Sequence, residues 1–173
     1  MPSKSTKLDY TYHFSNATSA LYYGIKQLKL EPGSTVLVPE SICDEVLIAF
    51  THQKINIEFF DLDDQFLPVW SNIQNKINKN TVALMMVHYF GFPQEVEKYI
   101  DLSNKNNLYL IEDNAHGYGG ISNEKYINSV GDISITSPRK LFEIYSGGSL
   151  YLNNELVGYT KIRGPSKKII SKR

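Results

Sequence analysis

The sequence predicts an α/β fold in which helices cover both faces of a mainly parallel sheet, as a three-layer sandwich. Apolar segments of strand length recur along the chain, and most are continuously hydrophobic, as strands buried on both faces must be. Polar segments separate them, with apolar residues three or four positions apart, which is typical of helices. The alternation of these two patterns indicates βαβ units with right-handed crossovers.

The first predicted element is a helix in the segment SNATSALYYGIKQLKLEPGS (15–34). Ser15 or Asn16 can cap its start, apolar residues recur at i, i+4 and i+7 within it, and a Pro-Gly pair ends it. The continuously apolar TVLVP (35–39) then predicts a buried strand. The spacing of apolar residues in DEVLIAFTHQK (44–54) predicts a helix that crosses to the next strand.

The same alternation continues through the second half of the chain. INIEFF (55–60) and TVALMMVHYF (81–90) predict two strands, because both are almost wholly apolar. The apolar residues of QEVEKYIDLSNKNN (94–107) recur at helical spacing, and LYLIED (108–113) again predicts a strand. Two further strands are predicted at DISITS (132–137) and GSLYLN (148–153).

The composition is that of a folded protein with one domain. With 42% hydrophobic and 12% aromatic residues, the chain can bury a substantial core. No apolar run approaches the roughly 20 residues of a membrane span, and the start, MPSKSTKLDY, lacks the apolar stretch of a secretory signal. Cys43 is the single cysteine, so an internal disulfide is not possible. We therefore expect a cytoplasmic protein with no membrane partner.

The formal net charge of zero hides an uneven distribution. Six of the 18 Lys and Arg residues, and none of the Asp and Glu residues, lie in residues 158–173, so residues 1–157 are acidic overall. A basic tail can bind an anionic partner, such as nucleic acid or a membrane surface, or it can be a solvated terminus. The second interpretation is favoured, because charges beside Gly and Pro build no binding platform. We expect one domain over 1–157, a basic tail over 158–173 and no nucleic-acid partner.

Candidate functional residues lie where the predicted strands end. Ligands of open α/β sheets bind outside the carboxyl ends of the strands. Here this rule selects Pro39, His88–Gly91, Glu112–His116 and the residues after Thr136. An acidic residue there can be a metal ligand, a catalytic base or the counter-charge of a protonated cofactor nitrogen. We expect no metal, because the His and Asp residues of these segments lack an established ligand spacing. The sequence also has neither a GxGxxG nor a GxxxxGK[ST] loop, the motifs that would indicate a nucleotide cofactor.

One lysine is notable for its position. The segment GDISITSPRKLFEIYSGG (131–148) places Lys140 just past a predicted strand, beside Arg139, in a stretch that ends in paired glycines. A lysine amine at this edge of a sheet can attack a carbonyl carbon. From spacing alone a surface lysine is the commoner case, so the role of Lys140 stays open at this point.

Three segments together resemble the pyridoxal-phosphate-dependent sugar aminotransferases of the DegT/DnrJ family. They are LEPGSTVLVPESICDEV (30–46), IEDNAHGYGG (111–120) and GDISITSPRKLFEIYSGG (131–148), and the resemblance extends over residues 15–153. It implies the large domain of the aspartate-aminotransferase-like (type I) fold, with pyridoxal 5′-phosphate as cofactor. Family members continue into a smaller C-terminal domain and work as homodimers. We therefore expect a front part without the small domain, and pairing with a second copy.

The resemblance assigns roles to three residues around the cofactor ring. Asp113 corresponds to the aspartate that pairs with the protonated pyridine nitrogen. Lys140 corresponds to the lysine that binds the cofactor covalently and moves a proton during the reaction. His116 corresponds to a position beside the ring and its phenolic oxygen, although a core histidine is a nearly equal interpretation.

The resemblance also assigns a phosphate site. Thr18 and Ser19 correspond to residues whose backbone N–H groups hold the cofactor phosphate at the start of a helix, and Ser137 to a hydroxyl donor to the same phosphate. Ala17 departs from the family, because a glycine is common there. Cys43 stands at or near the position of an aromatic side chain that stacks on the ring, and a thiol cannot stack. We expect Cys43 to be a small, buried apolar residue.

The implied function is transfer of an amino group, usually from glutamate, to the keto group of a nucleotide-linked sugar, in glycan or surface-polysaccharide biosynthesis such as that of O-antigen. An alternative is a catalytically inactive fragment or degenerate homologue that retains only the fold or cofactor binding. A different reaction of the same cofactor is less consistent with the residues. Desulfuration needs a mobile nucleophilic cysteine and Cys43 lies too early, while related dehydratases replace the lysine at Lys140 by histidine.

Overall fold

The computed structural model describes residues 10–118, 121–122, 125–126 and 130–152. Its strands are β1 (Tyr10–Phe14), β2 (Thr35–Pro39), β3 (Asn56–Phe60), β4 (Thr81–Val87), β5 (Tyr109–Asn114), β6 (Ile121–Ser122), β7 (Lys125–Tyr126), β8 (Ile133–Thr136) and β9 (Gly148–Leu152). Its helices are α1 (Ala17–Leu28), α2 (Asp44–Thr51), α3 (Trp70–Lys76) and α4 (Val96–Asn106). The predicted basic tail, 158–173, lies outside the described residues.

Within the described residues, seven strands form one mixed sheet in the order β1-β9-β8-β5-β4-β2-β3. The strands β3, β2, β4, β5 and β8 run parallel, and β9 runs antiparallel to both of its neighbours, β8 and β1. The short strands β6 and β7 pair as a separate hairpin. Parallel neighbours need a crossover, and α2, α3 and α4 are the helices of the crossovers between β2 and β5.

Helices cover both faces of this sheet. One apolar cluster joins α1 and α2 to the sheet, with buried residues that include Leu21, Ile25, Phe50, Val36, Met85 and Ile135. A second cluster joins α3 and α4 to the opposite face, with buried residues that include Ile73, Tyr99, Leu37, Leu84 and Leu110. The predicted three-layer α/β sandwich with a mainly parallel sheet is therefore confirmed.

The six predicted strands are all present; β2 has its predicted range, and the other five differ from theirs by one to three residues at an end. The segment predicted over 81–90 ends as a strand at Val87, because Tyr89–Gly91 forms a turn of 3-10 helix. The first helix ends at Leu28, before the Pro-Gly pair, because Lys29 adopts the left-handed conformation with φ 51°. The end of α1 is therefore set by the backbone conformation of a single residue.

Two elements of the layered fold, β1 and α3, and the short hairpin of β6 and β7 were not predicted from the sequence. The strand β1 lies at the edge of the sheet and its residues are exposed or half-buried, so it lacks the apolar run of a buried strand. The helix α3 has 7 residues, of which Ile73 is the buried one among those described, and this is too short for a helical repeat.

The start of α1 is held against the sheet by a close approach of two backbones. Asn16 caps the helix, and its Oδ1 accepts a hydrogen bond from the backbone N–H of Ser19 at 2.7 Å. Gly148 lies directly beside this cap, where a Cβ would collide with the backbone of Asn16. Because Ser149 pairs with Thr136 at the end of β8, the N-terminus of α1 lies at the carboxyl edge of the parallel strands.

Candidate active site

A cavity of about 340 Å³ opens at the carboxyl edge of the sheet, beside the start of α1. Its volume suits a small organic ligand. The strands β2, β4, β5 and β8 all lead into it, as expected for an open α/β sheet. Its lining brings together five of the predicted site residues, which are Thr18, Asp113, His116, Ser137 and Lys140. Ser19 lies outside the lining.

Asp113 lies near the carboxyl end of β5 and is 4% exposed. Its Oδ1 accepts a hydrogen bond from the backbone N–H of Ala115 at 2.8 Å. Burial raises the pKa of the Asp113 carboxyl, while the Ala115 N–H and the positive charge of Lys140 lower it in part. A buried carboxylate whose charge is only partly compensated fits a ligand that brings a cationic group to this place.

His116 lies in the turn after β5. Its Nδ1 accepts a hydrogen bond from the backbone N–H of Phe90 at 3.2 Å. Its ring stacks on that of Phe90, with centroids 5.9 Å apart and an angle of 20° between the planes. Burial and the charge of Lys140 lower the pKa of His116. The imidazole is therefore neutral near pH 7 with its proton on Nε2, which leaves the Nε2–H as its donor.

Lys140 ends the 3-10 turn Pro138–Lys140, directly after β8. Its backbone N–H donates to the carbonyl of Ser137 at 2.9 Å, which fixes the turn, and its side chain is exposed. Arg139 lines the same cavity, so two cationic side chains enter it from the end of β8 and Asp113 from the end of β5. An amine that is open to the cavity can react with a ligand carbonyl held there.

The start of α1 and Ser137 form an anion-binding end of the cavity. The backbone N–H groups of Ala17 and Thr18 have no acceptor within the helix, because a helix leaves its first donors unpaired. The N–H of Ser19 donates to Asn16 instead. The Ser137 hydroxyl is buried and has no hydrogen-bond partner in the described part of the chain. An unpaired hydroxyl beside a helix N-terminus fits the phosphate of a cofactor.

Tyr89 also lines the cavity and was not among the predicted site residues. Its hydroxyl donates to the carbonyl of Ser41 at 2.8 Å. Burial raises the pKa of Tyr89, and the negative charges of Asp113 and Glu40 raise it further, so the phenol stays protonated. Its position directly after β4 is the signal that could have selected it, because His88–Gly91 was already placed at this edge.

Cys43 is not the buried apolar residue that the sequence led us to expect. It is exposed, it lines the cavity, and it precedes the first residue of α2 without making a side-chain capping bond. The reason is topological: α2 begins where the chain leaves the carboxyl edge of β2, and this edge is the mouth of the cavity. A thiol at this position therefore faces the ligand space.

The mainly parallel sheet with its antiparallel β9, and the cavity at the carboxyl edge of the parallel strands, define an α/β protein with a ligand site at that edge. The chain belongs to the DegT/DnrJ/EryC1/StrS aminotransferase family, whose model matches residues 4–163. Aminotransferases of this family depend on pyridoxal 5′-phosphate. The family and the cofactor expected from the sequence are both confirmed.

Two relatives illustrate the similarity. The chain is 30% identical over 159 residues to GDP-perosamine synthase of Escherichia coli O157:H7, a match that covers 88% of this chain and 43% of the relative. It is 28% identical over 155 residues to dTDP-4-amino-4,6-dideoxy-D-glucose transaminase of Shigella dysenteriae, covering 86% of this chain and 41% of the relative. The chain thus spans about two fifths of the length of the curated relatives it matches.

The fold is also found among solved structures. An aminotransferase from Psychrobacter cryohalolentis superposes with a TM-score of 0.78 at 23% sequence identity, covering 84% of this chain and 38% of that one. This similarity confirms the expected large-domain fold. Among the residues that the structure describes, no helix has the length and hydrophobicity of a membrane span.

Proposed function

We propose that this chain carries the cofactor site of a nucleotide-sugar aminotransferase, which moves an amino group from glutamate to the keto group of a nucleotide-linked sugar. The cavity carries this proposal, because it collects a buried acid, a neutral imidazole and an open amine at one edge of an aminotransferase sheet. The names of the two relatives support the substrate class. We assign the cofactor domain to residues 1–157, with surface-polysaccharide synthesis in the cytoplasm as the setting.

Asp113 is the residue we assign to the ring nitrogen of the cofactor. When bound, pyridoxal phosphate supplies an electron sink for the substrate carbon that loses a proton. Asp113 would keep the ring nitrogen protonated, because a buried carboxylate strongly favours a positive charge beside it. The same contact offsets the unfavourable burial that raises the pKa of the free carboxyl.

Lys140 and His116 are the other two residues that we assign to the cofactor ring. The Lys140 amine would hold the cofactor through its carbonyl carbon, and the same amine is the base that we assign to the proton of the substrate carbon. His116 can donate only from Nε2, because its Nδ1 already accepts from Phe90. We assign that donor to the phenolic oxygen of the cofactor, which the neutral imidazole can approach without adding a charge.

The phosphate of the cofactor is assigned to the start of α1. The N–H groups of Ala17 and Thr18, which have no acceptor within the helix, would donate to it. The positive end of the helix dipole would favour its charge, and the buried Ser137 hydroxyl would gain a partner. Asn16 prepares this site, since it caps the helix through Ser19 and so leaves the earlier donors to the ligand.

We also propose that the chain works as a homodimer. Large, exposed apolar side chains surround the turn that follows Lys140. They are Tyr118, Leu141, Phe142, Ile144 and Tyr145. Tyr118 and Phe142 already pack edge to face, with ring centroids 5.5 Å apart. An exposed apolar patch beside a cofactor cavity is typical of an interface. Light scattering should report a dimer that Phe142→Asp dissociates, while Phe59→Asp, at an exposed site on β3, should leave it intact.

The function is tested by following isotope-labelled nitrogen. The purified chain, loaded with pyridoxal phosphate, is mixed with labelled glutamate and a panel of nucleotide-linked keto sugars, and amino-sugar products are detected by mass spectrometry. We expect the label in a sugar product, and no label with Lys140→Ala. Lys105→Ala is the matched control, because this lysine is exposed on α4, away from the cavity. A folded, cofactor-loaded chain that transfers no label to any sugar would contradict the proposal.

A further inference from the structure

The buried acid Glu112 precedes Asp113 on β5 but belongs to the other face of the sheet. Side chains alternate along a strand, so Asp113 faces the cavity, while Glu112 lies on the side of Leu110 and the second apolar cluster. Glu112 is 0% exposed and does not line the cavity. The proposed reaction makes no use of it, yet burying a carboxylate is costly unless its oxygens are hydrogen-bonded.

Its carboxylate oxygens accept hydrogen bonds from several groups at once. Oε2 accepts from the Ser134 hydroxyl at 2.5 Å and from the backbone N–H groups of Val130 and Gly131 at 3.1 and 3.2 Å. Oε1 lies 3.0 Å from Nε2 of His88. Four donors converge on the carboxylate, three of them on Oε2 and one on Oε1. The buried carboxylate oxygens are therefore satisfied as hydrogen-bond acceptors from three different segments.

The neighbouring His88 is held in a single tautomer. Its Nδ1 accepts the backbone N–H of Gln94 at 3.2 Å, so its proton is on Nε2 and is donated to Glu112. Its own backbone N–H donates to the carbonyl of Asp113 at 2.9 Å. His88 is 0% exposed. The pair thus joins the end of β4 to β5 twice, once through the backbone and once through side chains.

A glycine makes the approach to Glu112 possible. A Cβ at Gly131 would lie 2.9 Å from the Glu112 Cβ and 2.5 Å from the carbonyl oxygen of Ile133, both too close for a real side chain. The backbone before β8 can therefore pass directly over the carboxylate and donate to it. This fixes the position at which β8 begins relative to β5.

We propose that Glu112 and His88 form a positioning pair for the cofactor site. One carboxylate ties together the two segments that bring catalytic groups to the cavity on either side of β5. The segment after β4 carries Phe90, whose N–H orients His116, and the segment through β8 leads to Ser137 and Lys140. The inference rests on the proposed function, because the ligand whose binding the pair controls is the cofactor.

The pair is tested by measuring the affinity for pyridoxal phosphate in variants of the full chain, at a temperature well below their unfolding. Glu112→Gln keeps the volume but points an amide NH₂ at one of the donors. We therefore expect the affinity to fall roughly tenfold or more, as when a residue that orients ligand-binding groups without touching the ligand is replaced. Leu110→Ala is the control, because it empties a buried site on the same face of β5 without touching this network. It should lower the melting temperature and leave the affinity unchanged.

Two further variants keep the test decisive if Glu112→Gln does not fold. His88→Gln can still donate to Glu112 from its amide nitrogen, whereas His88→Asn is too short to do so and can serve only Gln94. We expect His88→Gln to bind the cofactor more tightly than His88→Asn. Equal affinities of these two variants, wild-type affinity in a folded Glu112→Gln, or an equal loss in Leu110→Ala would overturn the inference. A wild-type chain that binds no pyridoxal phosphate would overturn the proposed function together with it.

Discussion

Replacing Asp113 by Asn should change the stability of the free chain and its affinity for the cofactor in opposite directions. The Asn side chain has nearly the same shape, and its oxygen can still accept the Ala115 N–H that Asp113 accepts at 2.8 Å. The substitution therefore removes a buried charge and little else. The free chain should be as stable as the wild type or more stable, because burial, which raises the pKa of Asp113, is a cost that Asn does not carry.

Cofactor binding should respond in the opposite sense. Asp113 loses a charge-assisted hydrogen bond to the ring nitrogen, which contributes about 2 kcal/mol, so the affinity for pyridoxal phosphate should fall roughly thirtyfold. Equilibrium titration with the cofactor measures this loss of affinity. Thermal unfolding without cofactor measures the change in stability of the free chain. Asp101→Asn, at an exposed position on α4, is the control and should change neither quantity.

The pH dependence of stability independently checks the predicted stabilising effect of Asp113→Asn on the free chain. The pKa of Asp113 is raised by folding, so the folded chain holds this proton more tightly than the unfolded chain does. The stabilisation of the folded chain that comes from binding this proton is fully present below the ordinary pKa of a carboxyl group. It is lost as the pH rises through the raised pKa of Asp113. As the pH rises from the ordinary to the raised pKa, the melting temperature of Asp113→Asn should therefore increase relative to that of the wild type. A variant that is less stable without cofactor at neutral pH and binds pyridoxal phosphate normally would refute the assignment.

Three further substitutions probe the start of α1 and the phosphate site. Ser137→Ala should weaken binding of pyridoxal phosphate roughly tenfold and leave binding of pyridoxal, which has no phosphate, unchanged, because the hydroxyl has no partner among the described residues. Asn16→Ala should lower the free energy of unfolding by about 1 kcal/mol, measured by denaturant titration, because the cap on the Ser19 N–H is lost. Gly148→Ala should lower both the melting temperature and cofactor affinity, since its Cβ would collide with the backbone of Asn16. Gly147→Ala should have little effect, because its Cβ would lie 3.2 Å from the flexible end of the Ile144 side chain and at ordinary contact distance, 3.9 Å, from Arg139 and Pro138.

The layered fold could be predicted because its parallel strands are buried on both faces. Continuous apolar runs such as 35–39 and 108–113 are typical of strands covered on both sides, and β2 coincides with its predicted range. β1 escaped prediction because its place is decided by pairing with β9, at the far end of the chain, and not by local hydrophobicity. α3 escaped because a helix of two turns has too few apolar residues to show a repeat, and it is stabilised by the packing of Ile73 and Trp70 against the sheet.

The candidate site was predictable to the extent that topology sets it. Asp113, His116 and Lys140 were placed at one edge by the rule that parallel strands end together, and the structure brings them to one cavity. The finer features depend on pairings between distant residues. The tautomer of His116 follows from the backbone of Phe90, and the role of Glu112 follows from donors that lie on other segments. No local pattern in the sequence contains that information.

The central claim is that Lys140 is the residue that binds pyridoxal phosphate. The most direct measurement is reduction of the cofactor-loaded chain with borohydride, followed by digestion and mass spectrometry of the peptides. We predict one modified peptide, which contains Lys140, in the wild type, and no comparable modification of any peptide in Lys140→Ala. A cofactor adduct on another lysine, or equal labelling of the wild type and Lys140→Ala, would contradict it.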